Sequence, residues 1–356
     1  MKATIIVLHQ GIDSHRTDPT IDNACQVRDN LVAGLADLGY KGISVFLDDR
    51  FEWAQRILDA KPDLVANVAD LGFFYDNALE PNIPAVLDGL KVNYTGSKSY
   101  SMFFSSDKLV SKQYLASLGI PVPRVWSLDQ RNESMEFPVI LKYRMIHNSV
   151  GISADSVATD RRMLDERIVS LRHGPHSKQD ELIAEEYIDG AELCAGYIGN
   201  GKERELLPIV SFEFGESFNG RPRIRDFSAK WDSKTTEYKE TCARFAALEE
   251  KTARKVEECV HRIANAFGIR DYARLDFRLK KNEAGEAVPL IIDVNANPDL
   301  NTDATLFKMA QYAGYDYTAY VGRIVEVALA RGRESCHSGE PSVFTDALAT
   351  RGYYDE

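Results

Sequence analysis

The chain has 356 residues, a formal net charge of -11, and 44 % apolar and 10 % aromatic side chains, enough for two or three structural units and against intrinsic disorder. The acidic balance argues against a nucleic-acid surface, and the five scattered cysteines (Cys25, Cys194, Cys242, Cys259, Cys336) against a zinc site or a disulfide framework. No run approaches the roughly twenty apolar residues of a membrane span, so the expectation is a soluble cytoplasmic protein with reduced thiols.

In chain order, Thr4–Leu8 reads as a buried strand, Gln10–Asp22 as a loop, and Asn23–Leu38 as a helix stopped by Gly39. Ile43–Leu47 and Leu64–Val68 are further strands with helical text between them, which makes an α/β unit. Gly11 stands alone in the first loop, so no glycine-rich dinucleotide fingerprint is present. Asn93–Ser97 is a turn that closes this unit near residue 100. Ser105–Gly119 reads as a helix with a serine N-cap and Lys108 in its first turn, where a cation opposes the helix dipole unless an anion sits there.

Phe137–Tyr143 places Lys142 in an apolar strand, and lysine is rarely buried without a partner. The next loop, Met145–Gly151, offers backbone amides and the Ser149 hydroxyl to a phosphate. Glu181–Ile188 is a strand followed by a tight turn at Gly190, with Glu192 opening the next strand. From Ser211 to Glu240 the text is polar and aromatic with interleaved charges, which reads as a long loop acting as a lid. Leu248–Phe267 is an amphipathic helix stopped by Gly268, Ala304–Arg331 forms one or two helices broken near Gly314, and the residues from about Glu334 form a tail in which Phe344, Leu348, Tyr353 and Tyr354 could dock.

Two apolar runs near the C-terminus, Tyr272–Arg278 and Leu290–Pro298, flank the turn signal Lys280–Gly285 and predict an antiparallel hairpin. By alternation Arg274, Asp276 and Arg278 share one face, and Asp293, Asn295 and Asn297 share another. If the faces coincide, oxygen ligands converge, and two carboxylates with an amide are a hard donor set suited to Mg²⁺.

A lysine opening a helix, a lysine in a strand, an acidic strand-turn, a lysine in a lid and a paired Arg-x-Asp and Asp-x-Asn hairpin, in that order, resemble the ATP-grasp fold and its D-alanine-D-alanine ligase-like branch. The segments that carry the resemblance are Tyr94–Ser97, Asp107–Lys112, Pro138–Lys142, Ser149–Gly151, Ala229–Trp231, Arg274–Asp276 and Asp293–Asn295, within residues 1–332. The resemblance implies an α/β (α+β) protein of three domains: residues 1–103, 104–188, and 189–333 with a lid at about 212–240, followed by the tail 334–356. It implies ATP and two Mg²⁺ ions, with Mn²⁺ as a substitute, small-molecule carboxylate and amine substrates, and homodimers built through the first domain. Lys108 and Lys142 would contact ATP phosphates, Glu186 and Ile188 would supply backbone atoms to adenine, Glu185 would accept from its amine, and Glu192 would hold the ribose. Lys230 would reach the terminal phosphate, Asp276, Asp293 and Asn295 would bind the metal ions, and Arg274, with Ser149, would act in catalysis.

The chain departs from that pattern at substrate positions. Asn67–Asp76 stands where true D-alanine-D-alanine ligases carry a glycine-rich His-Gly segment, Asp293 replaces the usual glutamate, and Asn148 and Trp231 replace a serine and a tyrosine. Asp299 replaces a glycine near the acceptor, close to Asn301, and Ala304 falls where a serine normally helps hold the acceptor carboxylate. An added negative charge repels a carboxylate and favours a cationic or polar acceptor. The reading is an ATP-dependent carboxylate-amine ligase that joins an amino acid carboxylate, through an acyl phosphate, to an amine other than D-alanine, foremost another amino acid, in specialised metabolism. D-alanine-D-alanine ligation itself, a non-catalytic nucleotide sensor and a bicarbonate-using carboxylase are the alternatives.

Overall fold

The computed structural model describes residues 2–11, 19–128, 135–146, 149, 151–174, 181–231 and 234–337. The expected docking of the tail residues Phe344, Leu348, Tyr353 and Tyr354 lies outside them. No helix among the described residues is long and apolar enough to cross a membrane.

The N-terminal unit is a parallel three-stranded sheet of order β2-β1-β3, with β1 at Thr4–His9, β2 at Lys41–Phe46 and β3 at Leu64–Asn67. Helices α1 (Pro19–Asp37), α2 (Glu52–Ala60) and α3 (Asn82–Gly89) complete it. Period-two alternation splits β1 and β3 between two cores. Ile6, Leu8 and Val65 pack with Trp53, Ile57 and Leu87, and Ile5, Val7 and Leu64 pack with Val27, Leu31 and Leu35 of α1. Each such side chain contributes about 1.5–3 kcal/mol of burial free energy.

Two helices follow where the sequence indicated one: α4 (Ser99–Ser106) and α5 (Lys108–Ser117). The cap of α5 is Asp107 rather than a serine, its carboxylate accepting from the Leu109 and Val110 N–H groups at 3.1 Å. A four-stranded sheet of order β4-β7-β5-β6 comes next, from β4 (Val125–Ser127), β5 (Val139–Tyr143), β6 (Val157–Ala158) and β7 (Leu182–Glu186), with α6 (Arg161–Arg172) against it.

The third sheet runs β11-β10-β8-β12-β13, with β9 on β8. Its strands are β8 (Glu192–Ile198), β9 (Glu205–Leu206), β10 (Val210–Phe214), β11 (Thr241–Phe245), β12 (Tyr272–Lys281) and β13 (Ala287–Asn295). The stretch read as a long loop thus holds β10 and the short helices α7 (Phe227–Trp231) and α8 (Thr236–Lys239). Helix α9 (Glu250–Phe267) covers one face of this sheet through Val256, Val260 and Ile263. Helices α10 (Thr305–Tyr312) and α11 (Tyr317–His337) cover the other, and Ile324, Val325 and Ala328 join it to the N-terminal unit.

One side chain ties these parts together. Asp271 is 0 % exposed and has a left-handed φ of 64°, a conformation aspartate tolerates better than most residues. It accepts from the Gly96 N–H, from Asn200 Nδ2, and from Arg331 Nε and Nη2, all at 2.9 Å. Replacing it (D271A) removes the acceptor of all four donors and is expected to lower stability by about 3 kcal/mol. Guanidinium denaturation followed by fluorescence measures this; a loss below about 1 kcal/mol contradicts the assignment.

Candidate active site

The β12–β13 register sets Arg274 opposite Asn295 and Asp276 opposite Asp293, so these four side chains share a face. The register then slips between Asp276 and Phe277, which pairs with Ile291; Ile292 is the extra residue of a β-bulge. Arg274 donates from Nε and Nη2 to the two Asp276 oxygens at 2.9 and 3.0 Å, a bidentate geometry suited to guanidinium. Burial would weaken the guanidinium's hold on its proton, but the Asp276 charge outweighs it. Cys194 Sγ on β8 donates to Asp276 Oδ1 at 2.9 Å. Burial, then the Asp276 charge, push its thiol pKa well up.

Asn297 does not continue the Asp293–Asn295 face. The chain turns after β13, the Asn297 N–H donates to Asn295 Oδ1 at 3.0 Å, and Asn297 Nδ2 reaches Glu80 Oε1 at 3.0 Å.

Glu185, 1 % exposed, is clamped between two lysines: Lys112 Nζ lies 2.9 Å from Oε1 and Lys142 Nζ lies 2.7 Å from Oε2. Lys112 Nζ also donates to the Ile292 carbonyl at 2.9 Å, so the bulge and the clamp are one structure. Burial alone would raise the Glu185 carboxyl, and the two ammonium groups hold it below the usual range. The sequence assigned this carboxylate to a base amine; the structure commits both of its oxygens to lysines. Lys108 Nζ donates to the Ile146 carbonyl at 2.7 Å, and burial pushes its pKa down to about 8.

Lys108, Lys142, Ser149, Glu185, Glu186, Ile188, Glu192, Lys230, Arg274, Asp276, Asp293 and Asn295 all line one chamber of about 910 Å³, with the apolar side chains Ile140, Ile152 and Ile224. At its far end Arg278 donates from Nη2 to Glu192 Oε2 at 2.6 Å and from Nη1 to the Ile188 carbonyl at 3.1 Å. The Glu186 N–H already donates to the Arg124 carbonyl at 2.8 Å. Two of the backbone groups expected to face a base, this N–H and the Ile188 carbonyl, are therefore engaged within the protein. Ser149 Oγ donates to the Arg225 carbonyl at 3.1 Å, pinning the segment before α7 over the chamber. Gly151 at φ 71° is needed beneath it, because a Cβ there would lie 2.7 Å from the Tyr143 ring.

A second chamber of about 900 Å³ shares Arg225, Lys230, Arg274 and Asn295 with the first. Its other end is acidic: Asp70, Glu80, Asp299 and Asp303. Burial, then the Asp299 charge, push Asp70 up to about 7; burial raises Glu80 and Asp299 as well. On Lys230, burial followed by the neighbouring Arg225 and Arg274 charges lowers the pKa to about 8. Asp299 lines the second chamber. Asn301 lines neither chamber: it is 0 % exposed and its amide is bound to Asn23 and Asn30 of α1 at 2.7 and 2.8 Å, which makes it an anchor of the N-terminal unit. Asn148 and the side chain of Trp231 lie outside the described residues.

Sequence reasoning gave no site role to Lys112, Arg225, Arg278, Asp70 or Glu80. Arg278 could have been found as a charge at an inward position of an apolar strand; Lys112, Asp70 and Glu80 join the site only through tertiary packing. For a metal ion, Asp276, Asp293 and Asn295 supply adjacent hard oxygens on rigid strands. Among the described residues there is no group of three or more His, Cys, Asp or Glu that could hold a metal ion by itself. The donor set fits Mg²⁺ completed by substrate oxygens, and not an all-protein cage.

The family described as D-ala D-ala ligase C-terminus matches residues 122–326. An uncharacterized protein, y4sG of Sinorhizobium fredii, is 29 % identical over 322 residues, 85 % of this chain and 87 % of that protein. A D-alanine–D-alanine ligase of Alcanivorax borkumensis is 29 % identical over 253 residues, 70 % of this chain and 74 % of the relative. Among solved structures, the D-alanine–D-alanine ligase of Bacillus anthracis complexed with ATP superposes with a TM-score of 0.70 at 21 % identity, over 94 % of this chain and 99 % of that one. The VanG D-Ala:D-Ser ligase of Enterococcus faecalis gives 0.66 at 15 %, over 92 % and 100 %. The chain therefore belongs to the D-alanine–D-alanine ligase C-terminal family, within the ATP-grasp superfamily, and is an ADP-forming, ATP-dependent carboxylate-amine ligase.

Proposed function

We propose that ATP occupies the chamber lined by Lys108, Lys142 and Lys230, that a carboxylate lies where the two chambers meet, and that the amine approaches from the acidic end. The observation that carries this is the junction itself: Arg225, Lys230, Arg274 and Asn295 line both chambers, so a group seated there is in reach of both. The first step forms a bond between a carboxylate oxygen and the γ-phosphorus and breaks the bond to the β-phosphate oxygen, releasing ADP. The amine then adds to the acyl carbon, and phosphate departs as the amine loses its proton.

Catalysis of this kind rests on positioning and on fixed charges in a water-poor site. Arg274 stays charged, and Asp276 locks the plane of its fork, so it faces the developing oxyanion without reorganising. Lys108, Lys142 and Lys230 hold the polyphosphate. Glu185 fixes the Lys142 ammonium and, through Lys112, the bulge that presents Asp293. Asp276, Asp293 and Asn295 would hold Mg²⁺, which when bound neutralises phosphate charge. The names of the D-alanine–D-alanine ligases among the relatives point to D-alanine on both sides, but Asp70, Glu80 and Asp299 around the acceptor end oppose an acceptor carboxylate, and we infer a different amine.

ADP release with Mg-ATP across paired amino acids and amines, with mass detection, tests this. Turnover that needs one pair, with a product lighter than the sum by one water, is the expected result; ADP release independent of any amine overturns it. Arg274→Ala is expected to lower kcat by about 10²–10³-fold while ATP affinity stays within about threefold; unchanged turnover removes the role given to Arg274.

The pH dependence has a defined sign. Lys108 and Lys230 fall from 10.5 to about 8 in the folded chain, so between these values the unfolded chain binds more protons and the ligand-free protein gains stability as pH rises. Polyphosphate binding needs their charged forms, so kcat/KM for ATP is expected to fall as pH rises through about 8, and K230Q to flatten part of that fall. A profile level from pH 7 to 9.5 contradicts it.

A further inference from the structure

Most buried carboxylates of the nucleotide chamber and the domain junction have a cation of their own: Glu185 has Lys112 and Lys142, Glu192 has Arg278, Asp276 has Arg274, and Asp271 has Arg331. The acidic end of the second chamber breaks this pattern. Asp70, Glu80 and Asp299 form no ion pair among the described residues. Glu80 is 8 % exposed; its Oε1 accepts from Asn297 Nδ2, its Oε2 has no partner among the described residues, and the side chain lines the chamber. Among the described residues Asp299 accepts only from Asn23 Nδ2 at 3.0 Å and the Asn301 N–H at 2.9 Å. The Asp70 backbone carbonyl accepts from Asn77 Nδ2 at 3.1 Å, but its carboxylate accepts from no other residue among those described. The chamber's cations offer these acids no pair: Arg274 is taken by Asp276, and neither Lys230 nor Arg225 pairs with them.

Three carboxylates gathered around one cavity with no ion-pair partner among the described residues, Asp299 alone feeling the more distant Arg274 charge, stay ionised at a cost that a bound cation removes. A single ammonium neutralises one of the three, and an amine that is also the nucleophile must be neutral when it attacks. We propose that the amine substrate carries a second basic nitrogen, as in a diamine or a basic amino acid, and that Glu80, Asp70 and Asp299 bind that cation while the first nitrogen faces the acyl group. This rests on the ligase reading for the direction of attack, and on the unpaired carboxylates alone for the charge of the ligand. The N-terminal unit, which supplies Asp70 and Glu80, thereby sets the choice of acceptor.

Calorimetric titration of the full chain with Mg²⁺ and a non-hydrolysable ATP analogue tests it, using 1,4-diaminobutane, L-ornithine and L-lysine against L-alanine and D-alanine. The diamine has no carboxylate and so cannot report binding at the carboxylate position. At least one dibasic probe is expected to bind ten-fold or more tightly than either alanine. E80Q and D70N are each expected to weaken that probe ten-fold or more while ATP-analogue affinity, which reports an intact fold, stays within twofold. Equal binding of alanine, no binding of any dibasic probe, or dibasic binding unchanged in both variants overturns the proposal. ADP release run in parallel separates the two readings. Dibasic binding with no ADP formed beside any carboxylate rejects the ligase direction and keeps the charge assignment; turnover with D-alanine alone keeps the ligase and rejects the dibasic acceptor.

Discussion

One extra residue in strand β13 sets the geometry of this molecule's centre. With Ile292 inserted opposite β12, Asp293 and Asn295 stand beside Asp276 and Arg274, while the ladder resumes with Phe277 opposite Ile291. The displaced Ile292 carbonyl accepts the Lys112 ammonium, which also meets Glu185, which meets Lys142. Four elements, α5, β5, β7 and β13, are joined by these contacts, and two sheets with separate cores face each other across them. The first chamber lies between those sheets, so the bulge and the clamp shape it.

Charge is distributed along a gradient through the two chambers. Cations crowd the first, and burial together with neighbouring charges, Lys112 and Lys142 on Lys108 and Arg225 and Arg274 on Lys230, drives these two lysines down to about 8. Carboxylates crowd the far end of the second and are driven up, Asp70 to about 7. Each end is arranged against its own charge and in favour of a ligand of the opposite one, and Arg274 stands between them already neutralised by Asp276. Binding of a polyanion at one end and a cation at the other would relieve both stresses, which ties occupancy of the site to the stability of the folded chain.

How much of this was legible in the sequence depends on range. The hairpin was, because alternation in Tyr272–Arg278 and the turn signal Lys280–Gly285 are local; the bulge was not, because Ile292 sits in the apolar run Leu290–Ile292 with nothing to distinguish it. Lys142 was visible as a cation in an apolar strand. Lys112 was missed because a lysine within a helix is usually solvated, and only its packing against Ile292 and Glu185 gives it a partner. Asn301 was given a substrate role from its position after the metal asparagine, yet its amide is spent on α1, a contact across more than 270 positions of the chain. The elements hidden in Ser211–Glu240 are four or five residues long, too short to show a period. Asp70 and Glu80 illustrate the limit most plainly: nothing in their own segment says that they will meet Asp299.

The central claim is that a carboxylate is activated by phosphoryl transfer at the junction of the two chambers. The most direct measurement uses a substrate carboxylate labelled with ¹⁸O in the pair that gives turnover, followed by mass analysis of the phosphate released. An acyl phosphate route transfers one ¹⁸O atom to each phosphate formed, with ADP as the other product. Phosphate free of label, or AMP in place of ADP, contradicts it.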